Sequence, residues 1–116
     1  MKNNFAETAI MVTRDGLGHA DKELSHKLAR NYFRTLLESE YPPKYILFYG
    51  EGVKLTIEGS PCQAELAALS ASGVSVIACR TCLDHYGLTD KVAAGEIGNM
   101  LQIIEAQAEA EKVIAV

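Results

Sequence analysis

Val74-Ser75-Val76-Ile77-Ala78 runs without a break into Cys79-Arg80-Thr81-Cys82, and the reading of that junction decides the fold. The first five residues carry no charge and are mostly β-branched, the signature of a strand buried on both faces. Gly73 stands before them as the stop of a helix. That helix begins at Ser60-Pro61-Cys62-Gln63, which offers a serine N-cap, proline at the first helical position and glutamine at the capping-box position. Further upstream, Tyr45-Ile46-Leu47-Phe48-Tyr49 is a second apolar run, closed by Gly50-Glu51-Gly52 and separated by Pro42-Pro43 from a long amphipathic segment. Asp21 caps that segment, in which Leu24, Leu28, Tyr32 and Leu36 recur every fourth residue and Ala29, Phe33 and Leu37 widen the stripe. Thr8-Ala9-Ile10-Met11-Val12-Thr13 gives the first strand, stopping at the glycine-rich loop Arg14-Asp15-Gly16-Leu17-Gly18.

Downstream of the cysteines, Val92-Ala93-Ala94 before Gly95 reads as a fourth strand and Val113-Ile114-Ala115-Val116 as a fifth. Between them Ile97, Met100, Leu101, Ile104 and Ala108 mark a helical stripe. Strands and helices thus alternate along the chain, with a short helix after the cysteines. This order predicts a single-domain α/β fold over residues 1–116: a doubly wound, mostly parallel sheet of about five strands with helices on both faces. Ligands of such sheets collect outside the carboxyl ends of the strands. Here that edge carries residues 14–21, 50–53, 79–84 and 95–99.

Composition agrees with one self-sufficient domain. The chain has 116 residues, 48% hydrophobic and 22% charged, enough to bury a core without metal or disulfide staples. Its formal net charge is −4, from 15 acidic against 11 basic residues, which argues against nucleic acid as a partner. No apolar run approaches the ~20 residues that span a bilayer, so no membrane role is expected. An odd count of three cysteines, with no basic and apolar leader in residues 1–5, points to a reducing cytoplasm.

Cys79 and Cys82 are the candidate catalytic residues. At a helix start, with Arg80 between them and Thr81 as a possible cap, unpaired N–H groups and positive charge favour the thiolate. A thiolate attacks sulfane sulfur or a disulfide, and this spacing also lets the pair close into a disulfide. Two small thiols ending a buried strand are the plain alternative. Cys62 shares a helical face with Leu66 and Leu69 and reads as core. Cys79, Cys82 and His85 offer three ligands where a closed zinc site needs four, so no metal is assigned. The Gly16-Leu17-Gly18 loop lacks the third glycine of a dinucleotide fingerprint, and no P-loop lysine follows it. No cofactor is assigned. Arg14, Asp15, His19 and Glu51 are candidates for lining the same mouth, with ordinary solvated loop positions as the alternative. Glu96 and Asn99 fit as caps of the last helix.

Several segments together resemble the DsrE/DsrF-like family, in particular the C-terminal domain of YedF-type proteins. They are Ile46-Leu47-Phe48-Tyr49, Gly52-Val53-Lys54-Leu55-Thr56 with Glu58-Gly59-Ser60, the cysteine signature from Cys79 to Leu88, and Gly95-Glu96-Ile97-Gly98-Asn99-Met100. The resemblance implies a sulfurtransferase-like protein of sulfur relay or selenium metabolism, working with a TusA-like donor or acceptor and forming homo-oligomers. In the family the sulfur-carrying cysteine ends a strand and stands eight residues before a glycine, a spacing matched by Cys79 and Gly87. This implies Cys79 as carrier and Cys82 as second thiol, while Arg80, read from its charge beside them, joins Arg14, Asp15, His19 and Glu51 as a candidate for binding substrate or partner. Two departures stand out. No TusA-like domain precedes the matched region, and Arg80 replaces a family glycine, which would strain the loop if that position had a positive φ.

Overall fold

Five strands pair side by side in the computed structural model, which describes residues 5–116: β1 (Thr8–Val12), β2 (Tyr45–Phe48), β3 (Ser75–Cys79), β4 (Glu96–Gly98) and β5 (Lys112–Ala115). Their order is β4-β3-β2-β1-β5, and every neighbouring pair is parallel. The connections run through α1 (Lys22–Glu38), α2 (Gln63–Ala71), α3 (Arg80–His85) and α4 (Met100–Glu109). From β1 to β4 the chain steps steadily toward one edge, and α4 then carries it back across the sheet to β5. With right-handed crossovers this reversal puts α4 on the face opposite α1 and α2.

Side-chain alternation confirms the two layers. Met11, Leu47 and Ile77 share one register row, and Gln107 of α4 donates from Nε2 to Met11 Sδ at 3.2 Å. Val12, Phe48 and Ala78 form the next row, and Phe48 meets the Phe33 ring of α1 with centroids 6.2 Å apart. Ile10, Ile46, Phe33, Leu66, Leu69 and Ile103 are fully or almost fully buried, so the core lies on both sides of the sheet.

Three expectations need correction. In α1 the core row is Ser25, Ala29, Phe33 and Leu36, whereas Leu24 and Leu28 face outward. The reason is close approach at the helix start. A Cβ on Gly16 would stand 2.4 Å from Ser25 Oγ, and Leu17 N–H donates to the Ser25 carbonyl at 3.0 Å, so the small residues face inward. The fourth strand is Glu96–Gly98, not residues 92–94. Val92 makes an isolated antiparallel bridge to Ile57, and the N–H groups of Ala93 and Ala94 donate to the Thr56 carbonyl. Those apolar residues seal a loop instead of extending the sheet. In α4 the buried residues are Ile103 and Ala106, leaving Met100, Leu101 and Ile104 exposed. The apolar residues of α4 cover more than half its circumference, with Gln102, Glu105 and Glu109 on the remainder, so the pattern alone does not say which edge of that broad face is buried.

The caps also differ in detail. Ser60 Oγ accepts from Cys62 N–H and Gln63 Oε1 from Gly59 N–H, so α2 starts at Gln63, two residues beyond the predicted proline position. Thr81 does not cap α3, whose N-cap is Cys79. Asn99 does cap α4, in a reciprocal capping box with Gln102, while Glu96 belongs to β4.

Candidate functional site

The carboxyl ends of β1, β2 and β3 bring three connections together. Tyr49 N–H donates to the Val12 carbonyl at 3.2 Å, tying the start of the β2 connection to the end of β1. A 3₁₀ segment, Gly50–Leu55, then folds against β1 so tightly that a Cβ on Gly52 would lie 2.1 Å from the Val12 oxygen. Gly50, with φ +59°, turns its N–H toward α3, where it donates to Cys82 Sγ at 3.1 Å. Glycine at both positions therefore sets the seam between this segment and the cysteine helix.

Cys79 and Cys82 stand three residues apart across the junction of β3 and α3, close enough for Cys79 to raise the Cys82 pKa. Their exposure differs. Cys79 has no accessible surface, whereas Cys82 is partly exposed. Burial raises the Cys82 pKa above the ordinary thiol value, the Gly50 N–H opposes that rise, and Cys79 adds to it. The upward direction corrects the expectation that the helix start and Arg80 together favour its thiolate. Arg80 is exposed, and its guanidinium does not contribute to the Cys82 shift. Its backbone is helical as the first residue of α3, and among the described residues no φ is positive outside glycine, so replacing the family glycine strains nothing. Cys62 is buried as expected. Burial pushes its thiol up to about 11, and Ser60 Oγ at 3.6 Å only partly opposes this.

Arg14, Asp15 and Glu51 do line one cleft, of about 370 Å³, together with Lys22, Ser25 and Lys54. Neither cysteine lines it. His19 holds Arg14 instead, accepting at Nε2 from the guanidinium at 2.7 Å. Asp15 Oδ1 lies 3.1 Å from His26 Nε2, and Glu51 Oε1 lies 3.5 Å from Lys54 Nζ. Arg80 joins neither this cleft nor the neighbouring one of about 390 Å³, which shares Asp15 and Lys54. Lys54 was not recognisable as a site residue from its sequence neighbourhood. Its ammonium stands 4.5 Å from the Tyr86 ring centroid, bridging the cleft to the helix that carries Cys82. Only the topology brings positions 15, 54 and 86 to one mouth. His85 packs edge-on against Tyr86 with centroids 5.0 Å apart. Among the described residues no three His, Cys, Asp or Glu side chains converge as metal ligands. No helix among them is long and apolar enough to cross a membrane.

Comparison with known proteins gives the fold a wider setting. The ychN protein from E. coli superposes with a TM-score of 0.68 at 20% identity, covering 95% of this chain and 99% of its own. MTH1491 from Methanobacterium thermoautotrophicum, a protein of unknown function, gives 0.69 at 19% identity over 94% and 97% of the two chains. BT1422 from Bacteroides thetaiotaomicron, also of unknown function, gives 0.69 at 16% identity with both chains covered in full. No curated protein matches the sequence. A family model described as DsrE/DsrF-like matches residues 2–116. With nearly every residue inside that match, and with a five-stranded parallel sheet that the solved structures share, the chain belongs to the DsrE/DsrF-like family.

Proposed function

We propose that this protein is a sulfur carrier that accepts sulfane sulfur as a persulfide at the Cys79–Cys82 pair and passes it to a partner protein. Membership of a family linked to sulfur relay supports the reading. The observation that carries it is the Cys82 sulfur, partly exposed at the carboxyl edge of the sheet, hydrogen-bonded by Gly50 N–H and three residues from a second thiol. The Cys82 thiolate attacks the outer sulfur of a donor persulfide R–S–S–H. A new bond forms to Cys82, the donor S–S bond breaks, and R–S⁻ leaves, giving Cys82–S–S–H. Gly50 N–H steadies negative charge on the Cys82 sulfur before attack and again when it becomes the leaving group. An acceptor thiolate then takes the outer sulfur by the same exchange.

The family spacing points to Cys79 as carrier, but exposure favours Cys82 for the first attack, with Cys79 as the second thiol beneath it. Arg80 and the cleft residues Arg14, Asp15 and Glu51, with His19 behind Arg14, are proposed to guide the donor or acceptor. The proposed setting is cytoplasmic, with a TusA-like protein on one side of the exchange. Self-association is proposed as well, supported by the outward apolar residues of α4, where Leu101 is 61% exposed.

Intact-mass measurement after treatment with a persulfide donor tests the chemistry. Wild type gains ~32 Da per sulfur, Cys79→Ser retains the gain and Cys82→Ser loses it. Retention in Cys82→Ser with loss in Cys79→Ser would give the carrier role to Cys79. No adduct on wild type would overturn the carrier reading.

A further inference from the structure

We propose that the cleft between the first loop and the 3₁₀ segment binds a small anionic molecule carrying sulfane sulfur, and thereby selects the donor that loads the cysteine pair. This inference rests on the sulfur-carrier reading and adds a low-molecular-weight substrate to it.

The charges that remain after internal pairing carry the argument. Five ionic side chains line the cleft: Arg14, Lys22, Lys54, Asp15 and Glu51. Both carboxylates are engaged, Asp15 with His26 and Glu51 with Lys54. Arg14 donates to His19 Nε2, and a ring nitrogen that accepts is unprotonated, so this partner supplies no negative charge. Neither Arg14 nor Lys22 forms a salt bridge with any described carboxylate. With histidines counted as neutral, as in the overall charge of −4, three cations and two carboxylates leave one net positive charge on a concavity of about 370 Å³, and Arg14 and Lys22 are its cations without a carboxylate partner. Cations left without carboxylates in a small cleft favour an anion, and a volume at the lower end of the ~300–1,000 Å³ usual for ligand sites suits a small molecule and not a polymer.

The cleft's position supplies the link to sulfur. One wall is Glu51, which directly follows the Gly50 that hydrogen-bonds Cys82. Lys54 continues the wall to the Tyr86 ring, one helical turn beyond Cys82. The second cleft opens on the far side of Asp15 and Lys54 and adds Ile57, Tyr86 and Leu88 as an apolar surface. Neither cysteine lines either cleft, so only a molecule long enough to pass Lys54 has its other end beside Tyr86, at the end of the cysteine helix, while anchored on Arg14 and Lys22; a shorter anion docks there before it moves on to Cys82. Two sources share this chemistry: a carboxylate-bearing persulfide of short-peptide size, and an inorganic anion such as thiosulfate. Transfer from the persulfide follows the exchange written above, with the donor thiolate as leaving group. Transfer from thiosulfate breaks its S–S bond, moves the outer sulfur to the Cys82 thiolate and releases sulfite.

Isothermal titration with two probes tests the cleft independently of sulfur transfer: S-methylglutathione, which has the carboxylates but no reactive thiol, and thiosulfate added to Cys82→Ser. At least one probe is expected to bind saturably. The Arg14→Ala/Lys22→Ala double variant, with circular dichroism and melting temperature like those of wild type, should weaken that binding at least about tenfold, the scale of lost charge-assisted hydrogen bonds. Asn31→Ala, on the apolar groove along α1, should leave it unchanged. The probe that binds identifies the source. If neither probe binds, or if the double variant binds equally well, the inference is overturned. Sulfur uptake by wild type from a protein persulfide, read by mass, separates the outcomes: uptake without probe binding sinks only the cleft, and probe binding without uptake sinks only the carrier chemistry.

Discussion

Cys82 is separated from Cys79 by less than one helical turn, yet one thiol meets solvent and the other does not. The motif was legible in the sequence as C-x-x-C at a strand end. Which sulfur points outward was not, because it depends on how α3 is rotated against the Gly50–Leu55 segment. The raised Cys82 pKa gives a kinetic signature. Its thiolate fraction grows as pH climbs above the usual thiol range, so iodoacetamide labelling of folded protein should still be accelerating near pH 9. Peptide mapping should find the label on Cys82, with Cys79 protected until the protein is unfolded. Gly52 is the other decisive single position. Gly52→Ala would force its Cβ against the Val12 carbonyl, and a cost of about 1–3 kcal/mol is expected from overpacking. Denaturant unfolding checks the cost, and faster or slower Cys82 labelling in the same variant reports a shifted Gly50 N–H.

Elements reveal a different kind of legibility. All four helices and four of the five parallel strands follow from apolar runs, glycine stops and cap residues, and Asp21 indeed accepts from Leu24 N–H at 2.9 Å. Their rotation about their own axes was less accessible. Helix α1 carries two adjacent apolar rows, and the row at Leu24 and Leu28 is the more regular in sequence. Docking of the Gly16 loop on Ser25 turns the other row, Ala29 and Phe33, to the sheet. Phe33→Ala should accordingly cost about 3–5 kcal/mol, while Leu24→Ser should change stability by no more than about 0.5 kcal/mol. Urea unfolding of the two variants measures the difference. A larger loss for Leu24→Ser than for Phe33→Ala would mean that the regular row is the buried one. The fourth strand eluded the sequence for the converse reason: Glu96-Ile97-Gly98 has little strand character, and its pairing with β3 comes from the turn at Gly95 and the edge left free there.

For the whole molecule, buried thiols couple folding to pH. Cys62 moves from 9.0 to about 11 in the folded protein, so the folded state holds its proton more tightly than the unfolded chain. The resulting stabilisation is complete below about 9 and is lost as pH rises toward 11. Unfolding free energies between pH 8 and 11 should fall more gently for Cys62→Ala than for wild type, whatever the variant's absolute loss from its cavity. The outer face of α4 makes a second prediction at this scale. Glutamate at Leu101 and Ile104 together should reduce the sedimenting mass if those side chains join copies of the chain, while leaving the fold intact, because both are exposed in the single chain. An unchanged mass would place self-association elsewhere.

The return of α4 across the sheet also dictates an order of events at synthesis. Strand β5 completes the sheet by pairing Thr8 with Lys112, partners about a hundred positions apart, so closing this pair costs the most chain entropy of any strand contact. Until residues 112–115 have left the ribosome, the outer side of β1 is an open row of backbone donors and acceptors. The nascent chain must shield that edge, or have it shielded, while the roughly one hundred residues between β1 and β5 are made.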